Sequence, residues 1–505
     1  MKIFTSSQIH DIDRYTIENE PVRSADLMER AAGRLFEWII NRFPKKRRFM
    51  IFAGPGNNGG DGLVLARLLA DSGYRAEVHY VSFSKSESDD WKISRDRLKN
   101  ISACGFFTLK NIDDFPLTDA DDIIVDAIFG SGLSRPAEGL AASVIMKINS
   151  TGREVIAIDI PSGMPGEDPV QVDSENIIKA SHTLSFQFPK LSFMFPSGYQ
   201  FTGEWHILPI GLHQGIIKEI VTPYHYTEKA DIIPLLKPRS KFDHKGIYGH
   251  GLLVAGSRNK AGAAVLGARA ALRTGIGLLT CHVPDACCSV IQTSIPEAMV
   301  RSDINETRIT SVNEPDDFSA VGAGPGIGTS EETAKCIRKL LEECSKPMVL
   351  DADALNILSL HKDWLSLLRP GTILTPHPRE FERIAGKSAD YFERLKMQIS
   401  FSEKHQCVVI LKGANTSITI PGGDVYFNST GNPGMAKGGS GDVLTGIILS
   451  LLAQGYAAAD AAITGVFIHG MAGDFALKKL SIESILATDI TECISNAYLE
   501  LERKK

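Results

Sequence analysis

The sequence predicts an α/β protein of two consecutive units, each built on a mainly parallel sheet. Three observations predict it. Short apolar strands recur, each running into a glycine-rich polar loop and then a helix, first over residues 49–70 and again over 252–272; that alternation makes a parallel sheet flanked by helices. Aspartates and other polar residues fall at the ends of these strands, where ligands gather in open α/β sheets. The chain's 505 residues also exceed what one ordinary core accommodates.

Bulk properties narrow the function classes. A composition of 43% hydrophobic and 23% charged residues is that of a soluble globular chain. The formal charge of −6 and a pI of about 6.1 offer no electrostatic footprint for nucleic acid. The eight cysteines are scattered without CxxC or zinc spacing, so free thiols in a reducing cytoplasm are expected. The first ten residues lack the apolar core of a signal peptide, and no stretch approaches the roughly 18 apolar residues of a membrane span.

In chain order, Ser24 is placed to cap a helix whose apolar face runs through Leu27, Met28, Ala31, Ala32, Leu35, Phe36 and Ile39. A strand at 49–52 leads into the loop Gly54, Pro55, Gly56, Asn57, Asn58, Gly59, Gly60, Asp61, Gly62, and a helix is expected over 63–70. This is the start of a doubly wound nucleotide-binding unit, but two asparagines and an aspartate replace the usual dinucleotide fingerprint. Side-chain oxygens at that turn suit a polar ligand or a hard cation. A strand at 76–81 and an amphipathic stretch through Trp91, Ile93 and Leu98 follow. Two further strands end in Asp126 and in Asp159-Ile160-Pro161-Ser162-Gly163, so Asn58, Asp126, Asp159 and Ser162 are expected to converge.

The motifs GPGNNGGDG, VDAIFGSG, IDIPSG and the later Phe188-Pro189-Lys190 resemble those of the NAD(P)H-hydrate epimerase domain, over residues 1 to 215. The resemblance implies a Rossmann-like domain in which Asn58, Asp126 and Ser162 help hold a potassium ion. It further implies that Asn57, Asn58, Gly59, Gly60 and Asp61, the loop Gly130, Ser131, Gly132, Leu133, Ser134, Arg135 and Pro136, and Asp159 contact the hydrated cofactor. Asp159 is then the acid/base that inverts C6 of the ring, with Lys190 assisting it or binding phosphate.

Beyond Gly211 the pattern loosens, and Pro223, Pro234 and Pro238 mark a joint expected around 213–240. A new α/β rhythm follows. Strand 252–255 precedes a small-residue helix through Ala263, Leu266 and Ala270. Polar loops then occur at Gly322-Ala323-Gly324-Pro325-Gly326-Ile327-Gly328, at Asp351-Ala352-Asp353, at Pro376-His377-Pro378-Arg379 and at Lys412-Gly413-Ala414-Asn415-Thr416. Asp351 and Asp353 either brace loops or position a metal. His377 is either an exposed loop residue or a partner for a ring substrate.

The stretch Gly431-Asn432-Pro433-Gly434-Met435-Ala436-Lys437-Gly438-Gly439-Ser440-Gly441-Asp442 opens an apolar helix. Glycines there turn several N–H groups toward one point, where the helix dipole favours an anion. A carboxylate beside a phosphate cradle is repulsive unless it has a task, such as taking a proton from an attacking hydroxyl. The plainer alternative is that Asp442 only caps the helix.

KGIYGHGLLVAGS, GAGPGIG, VLDADALN, LTPHPREFE, LKGANT and NPGMAKGGSGDVLTG resemble the ribokinase-like NAD(P)H-hydrate dehydratase family, and a domain over 225–505 is expected. The resemblance implies ADP as co-substrate, accompanied by magnesium, on Lys412, Gly413, Ala414, Asn415 and Thr416 and along Asn432, Gly438, Gly439, Ser440 and Gly441. The hydrate would lie against Ala263, Gly326, Gly328 and His377, with Asp442 at its C6 hydroxyl. The expected partners are therefore small molecules, hydrated NADH or NADPH and ADP, with a homo-oligomer but no nucleic acid or membrane. The competing reading is a ribokinase-like small-molecule kinase fused to a non-catalytic Rossmann-like binding module.

Overall fold

In the computed structural model two sheets account for the strands. Described are residues 1–20, 22–99, 104–133, 135–168 and 174–502. Among them the chain divides into two compact units, Lys2–Thr222 and Pro223–Lys505 with Met1.

The first unit holds β1 (Arg48–Ala53), β2 (Arg75–Val81), β3 (Gly105–Leu109), β4 (Ile123–Ala127), β5 (Glu154–Ile158), β6 (His182–Phe186) and β7 (Glu204–Leu208). They lie in the order β3-β2-β1-β4-β5-β6-β7, and every pairing is parallel. The order reverses between β1 and β4, which opens a crevice at the carboxyl ends of those strands. Helices on both faces bury the apolar strand residues, Ile51, Val125 and Ile156 on one side and Phe52, Ile124 and Ala157 on the other.

Two local expectations differ. The helix expected over 63–70 begins earlier, as Asn57–Asp71, so most of the asparagine–glycine loop is its first turns. The glycines permit this by close packing: a methyl on Gly59 would lie 1.9 Å from the Gly54 carbonyl oxygen, and one on Gly62 would lie 2.7 Å from Ala127. Ser24 is the first residue of its helix, Ser24–Ile40, rather than a capping side chain.

The second unit holds β8 (Tyr224–Thr227), β9 (His250–Val254), β10 (Leu278–Val283), β11 (Met299–Ser302), β12 (Ala320–Ala323), β13 (Met348–Leu350), β14 (Ile373–Leu374), β15 (Val408–Leu411), β16 (Ser417–Thr419) and β17 (Val425–Asn428). The sheet runs β11-β10-β9-β12-β13-β14-β15-β16-β17-β8, antiparallel only at β15–β16 and β16–β17. The segment read as a joint therefore contains an edge strand. Tyr224–Thr227 pairs with Val425–Asn428, some 200 positions away, a contact no local pattern announces.

Behind this sheet the helix Ser440–Ala453 is buried along nearly its whole length and packs on Ala261–Arg273. The two backbones meet at Gly446, where an added methyl would sit 2.0 Å from the Gly267 carbonyl oxygen. Replacing Gly446 by Ala forces these helices apart. The second unit should lose roughly 1–3 kcal/mol of stability, read as a shifted denaturant midpoint, because overpacking a rigid contact costs that much.

Candidate functional sites

In the first unit β1, β4, β5 and β6 deliver polar groups to the crevice. Asp126, at the end of β4, is fully buried. Its carboxylate accepts from the Ser162 N–H at 2.7 Å, the Ser162 hydroxyl at 2.5 Å and the Ile128 N–H at 3.2 Å. Burial pushes its pKa up to about 6 against the lowering effect of the Ser162 contacts. The Ser162 hydroxyl also meets the Phe129 N–H at 2.8 Å, and the Asn58 amide donates to the Phe129 carbonyl at 2.8 Å. Asn58, Asp126 and Ser162 thus form one network of hard oxygen donors, the kind of set an alkali cation takes.

Asp159 sits just past β5 with φ 64°, a left-handed conformation that an aspartate adopts at a cost of roughly 1–3 kcal/mol. Its N–H donates to the Leu184 carbonyl at 2.8 Å. Its carboxylate receives the Lys190 ammonium at 2.7 Å and the Phe186 N–H at 3.2 Å. Lys190 is 2% exposed, and its remaining donors go to Ser185 Oγ at 3.0 Å and the Phe188 carbonyl at 3.4 Å. A lysine so fully engaged orients Asp159.

Asp61 lies one turn along the helix from Asn57, buried, with its pKa raised well above the ordinary value by burial and by the charges of Asp159, Asp13 and Asp90. Gly130 touches Asn58, whereas Arg135 and Pro136 are exposed. Ser134 lies outside the described residues.

In the second unit the loops after β12, β13, β14 and β15 bring their residues to one edge. Asp351 is 1% exposed and shares its carboxylate between the Lys412 ammonium at 2.9 Å and the Thr445 hydroxyl at 2.7 Å. Burial alone would lower the Lys412 pKa, but Asp351, Glu380 and Asp442 raise it above the ordinary lysine value. Asp442, in the first turn of Ser440–Ala453, has its pKa raised to about 7. Burial is the largest cause, Asp351 and Asp353 add to it, and Lys412 opposes it. A methyl on Gly441 would lie 3.3 Å from the Lys412 ammonium, so the helix start and the lysine are immediate neighbours.

Gly439 precedes the helix with φ 92°, and Ser440 Oγ lies 3.3 Å from His469 Nε2. Asn432 is held to Asp474 at 3.0 Å, and Thr416 closes its own turn onto Gly413. The loop with Gly326 (φ 68°) and Gly328 (φ 78°) lies over Ala263 and Lys260, and Asp353 accepts the Gly328 N–H at 2.8 Å. His377 Nδ1 accepts from the Arg379 and Glu380 N–H groups at 3.1 and 3.4 Å, so it caps the helix Pro378–Ala385. Neither reading offered for it from sequence included that role.

Comparison with known proteins agrees with this division. Residues 24–192 match the family model described as the YjeF-related protein N-terminus, and residues 251–496 match that of NAD(P)H-hydrate dehydratase. The bifunctional NAD(P)H-hydrate repair enzyme of Moorella thermoacetica is 34% identical, covering 100% of this chain and 98% of its own. That of Coxiella burnetii is 34% identical, with 97% of each chain covered. Among solved structures, the ADP/ATP-dependent NAD(P)H-hydrate dehydratase of Bacillus subtilis is 28% identical over 55% of this chain and 99% of its own, with a TM-score of 0.48.

The chain belongs to the bifunctional NAD(P)H-hydrate repair enzyme family. Within this family member two residues of the sites escape sequence reasoning. Asp13, on the helix Ser6–Asn19, is close enough to Asp159 and Lys190 to feel both charges. Its spacing from Ile9, Ile12 and Thr16 puts a carboxylate on the helix's inward stripe, a signal that was available. His469, whose pKa burial pushes down to about 4, gave none, being a lone histidine in an apolar helix.

The Asp13 carboxyl is raised to about 7, first by burial and then by Asp159. A raised carboxyl contributes stability that is present below its unfolded value and lost as pH rises through the folded value. Asp13→Asn removes this penalty. The first unit's melting temperature should therefore rise at pH 8 relative to the parent and change little near pH 4, which thermal denaturation at the two pH values checks.

Proposed function

We propose that the first unit interconverts the C6 epimers of hydrated NADH and NADPH, and that the second restores the dihydronicotinamide from the S epimer while ADP becomes AMP and phosphate. The carrying observation is Asp442. A carboxyl with a pKa of about 7 stands at the open end of a helix, beside the half-buried Lys412. A base near neutrality is what deprotonating an alcohol at working pH requires.

Hydroxide is a poor leaving group, so the C6 hydroxyl is first converted into a better one. Asp442 takes the hydroxyl proton as the oxygen attacks the β-phosphorus of ADP, and AMP departs. Lys412 and the N–H groups of Gly438, Gly439, Ser440 and Gly441 face the transferring charge, which first-turn amides suit because they lack intrahelical partners. The lone pair of the ring nitrogen then expels phosphate to leave an iminium, and loss of a proton from C5 re-forms the dihydropyridine. Gly413, Ala414, Asn415 and Thr416 form the turn for the nucleotide, with Asn432 beyond it, while Ala263, Gly326, Gly328 and His377 border the hydrate. Both oxygens of Asp351 already have partners, so magnesium fits through the nucleotide's phosphates rather than in a protein cage.

In the first unit Asp159, fixed by Lys190, passes the C6 hydroxyl proton to the ring nitrogen as the C6–N bond opens to an aldehyde, and returns it as the ring closes on the other face, which inverts C6. Asp13, raised to about 7, supplies a neighbouring carboxyl that holds a proton near neutrality, and Asp61, raised by burial, stands near it. Asn57, Gly59, Gly60 and the 130–136 loop border the ligand. Asn58, Asp126 and Ser162, with the Phe129 carbonyl, would hold potassium, which supplies positive charge for an anionic ligand. A spontaneous hydration yields both epimers, so a stereospecific dehydratase needs the epimerase beside it. Among the described residues no helix is long and apolar enough to cross a membrane. We place the enzyme in the cytoplasm, where the cofactor pool is, as a homo-oligomer.

The test is recovery of dihydronicotinamide absorbance from mixed hydrate epimers with ADP, ATP or no nucleotide. Complete recovery with ADP is expected, with AMP and phosphate as products; a stable phosphorylated product would return the second unit to the kinase reading. Asp442→Asn should reduce the rate by roughly 10²–10⁴-fold, the usual worth of a positioned base. Because the base must be deprotonated, the parent's rate should fall as pH drops below about 7. Asp159→Asn should abolish only the slow fraction that depends on epimerisation.

A further inference from the structure

We propose that His182, Glu204 and His206 form a binding site for a transition-metal dication of the zinc class, separate from both reaction sites. The site follows from strand register. His182 opens β6 and pairs with Glu204, which opens β7; Leu184 pairs with His206. Side chains alternate along a strand, so His182, Glu204 and His206 stand together on one face of the sheet. His182 and Glu204 stand at the amino ends of their strands and His206 in the middle of β7. Asp159 lies beyond the other end of β6, where it meets Phe186.

The donor atoms are already gathered. His182 Nδ1 is 3.7 Å from Glu204 Oε2, and His206 Nε2 is 3.5 Å from Glu204 Oε1. One ligand atom from each of the three residues lies within 4.8 Å of the others. The same two ring nitrogens, His182 Nδ1 and His206 Nε2, are buried without a hydrogen-bond partner. A buried polar atom without a partner is destabilising, and a metal bond would supply the partner for both at once. A tetrahedral ion with bonds of about 2.0–2.1 Å sets its ligands roughly 3.3 Å apart, so side-chain rotations of Glu204 and of the two histidines would draw the three donors in from their present spacing.

The surroundings fit the same assignment. Glu154 Oε1 lies 3.7 Å from the far nitrogen of His182, in the position of a carboxylate that orients a ligating imidazole. Two imidazoles and one carboxylate suit zinc, cobalt, nickel or copper better than magnesium or calcium. Bound there, the ion would staple β7, the edge strand of its sheet, to β6.

The experiment titrates the chelator-treated full chain with Co²⁺ and then competes with Zn²⁺. Trp38 offers a second readout, because its ring centroid lies 5.1 Å from each histidine ring and Cu²⁺ or Ni²⁺ at the site would quench its emission. Expected are one equivalent of Co²⁺ with the intense visible absorption of four-coordinate cobalt, displacement by Zn²⁺, and quenching. His206→Ala should abolish all three. Glu204→Ala, a change at an exposed side chain that leaves folding intact, should weaken binding at least tenfold. Absence of the cobalt spectrum in the parent, or a spectrum and affinity unchanged in Glu204→Ala and in His182→Ala, would overturn the site. Epimerisation should be unaffected in Glu204→Ala, because none of the three residues belongs to the reaction site.

Discussion

Asp351 fixes the geometry on which the second site depends. One buried carboxylate binds the lysine at the end of β15 and the threonine one turn inside the helix Ser440–Ala453, so three elements distant in sequence are referred to a single point. The backbone beneath it is equally constrained. Ala352 is left-handed at φ 48°, and a methyl on Gly324, itself at φ 129°, would meet the Asp351 carbonyl oxygen at 1.9 Å. Removing the Asp351 charge would release Lys412 and leave its half-buried ammonium without its carboxylate partner. The glycine-rich loop at 322–328 therefore serves the aspartate as much as it serves a ligand.

The first unit solves the same problem with different elements. Asp159 and Lys190 correspond in kind to Asp351 and Lys412: an ion pair at strand ends, with the Lys190 side chain buried and that of Lys412 partly exposed. Around each pair stand further carboxyls, Asp13 and Asp61 in one unit and Asp442 in the other, whose pKa values burial and like charge raise. One lysine among several carboxyls leaves protons to be shared near neutrality. That is a useful arrangement for enzymes that must move protons on and off a carbinol.

What could be read from the sequence were the features written in contiguous residues. Strand, polar loop and helix follow each other within a few positions, so the parallel sheets, the Asp126 and Asp159 turns and the cradle ending at Asp442 were legible. What stayed hidden depends on contacts across the fold. The β8–β17 pairing turns an apparent joint into an edge strand. His377 is a cap because its ring nitrogen reaches two amides of the next turn, a matter of rotamer rather than residue type. The helix at Asn57 starts early because Gly59 and Gly62 allow close approach to backbone and strand, which overrides the turn preference of asparagine and glycine. His182, Glu204 and His206 are separated by a long connection and become neighbours only through the register of β6 and β7.

On the proposed mechanism, the raised pKa of Asp442 has a consequence for the order of events. An arriving diphosphate brings negative charge toward a carboxyl already pushed to about 7 by burial, Asp351 and Asp353. Unopposed, that charge would protonate the base and stop the reaction it is meant to drive. Lys412 and the helix N-terminus lie on the same edge and act in the opposite sense, each favouring the anionic form of whatever they face. On the proposed mechanism the cradle has two tasks: it would hold the phosphates, and by neutralising them it would keep Asp442 able to accept a proton. Glycine at 441 lets the lysine stand close enough to do both, since any side chain there would crowd its ammonium at 3.3 Å.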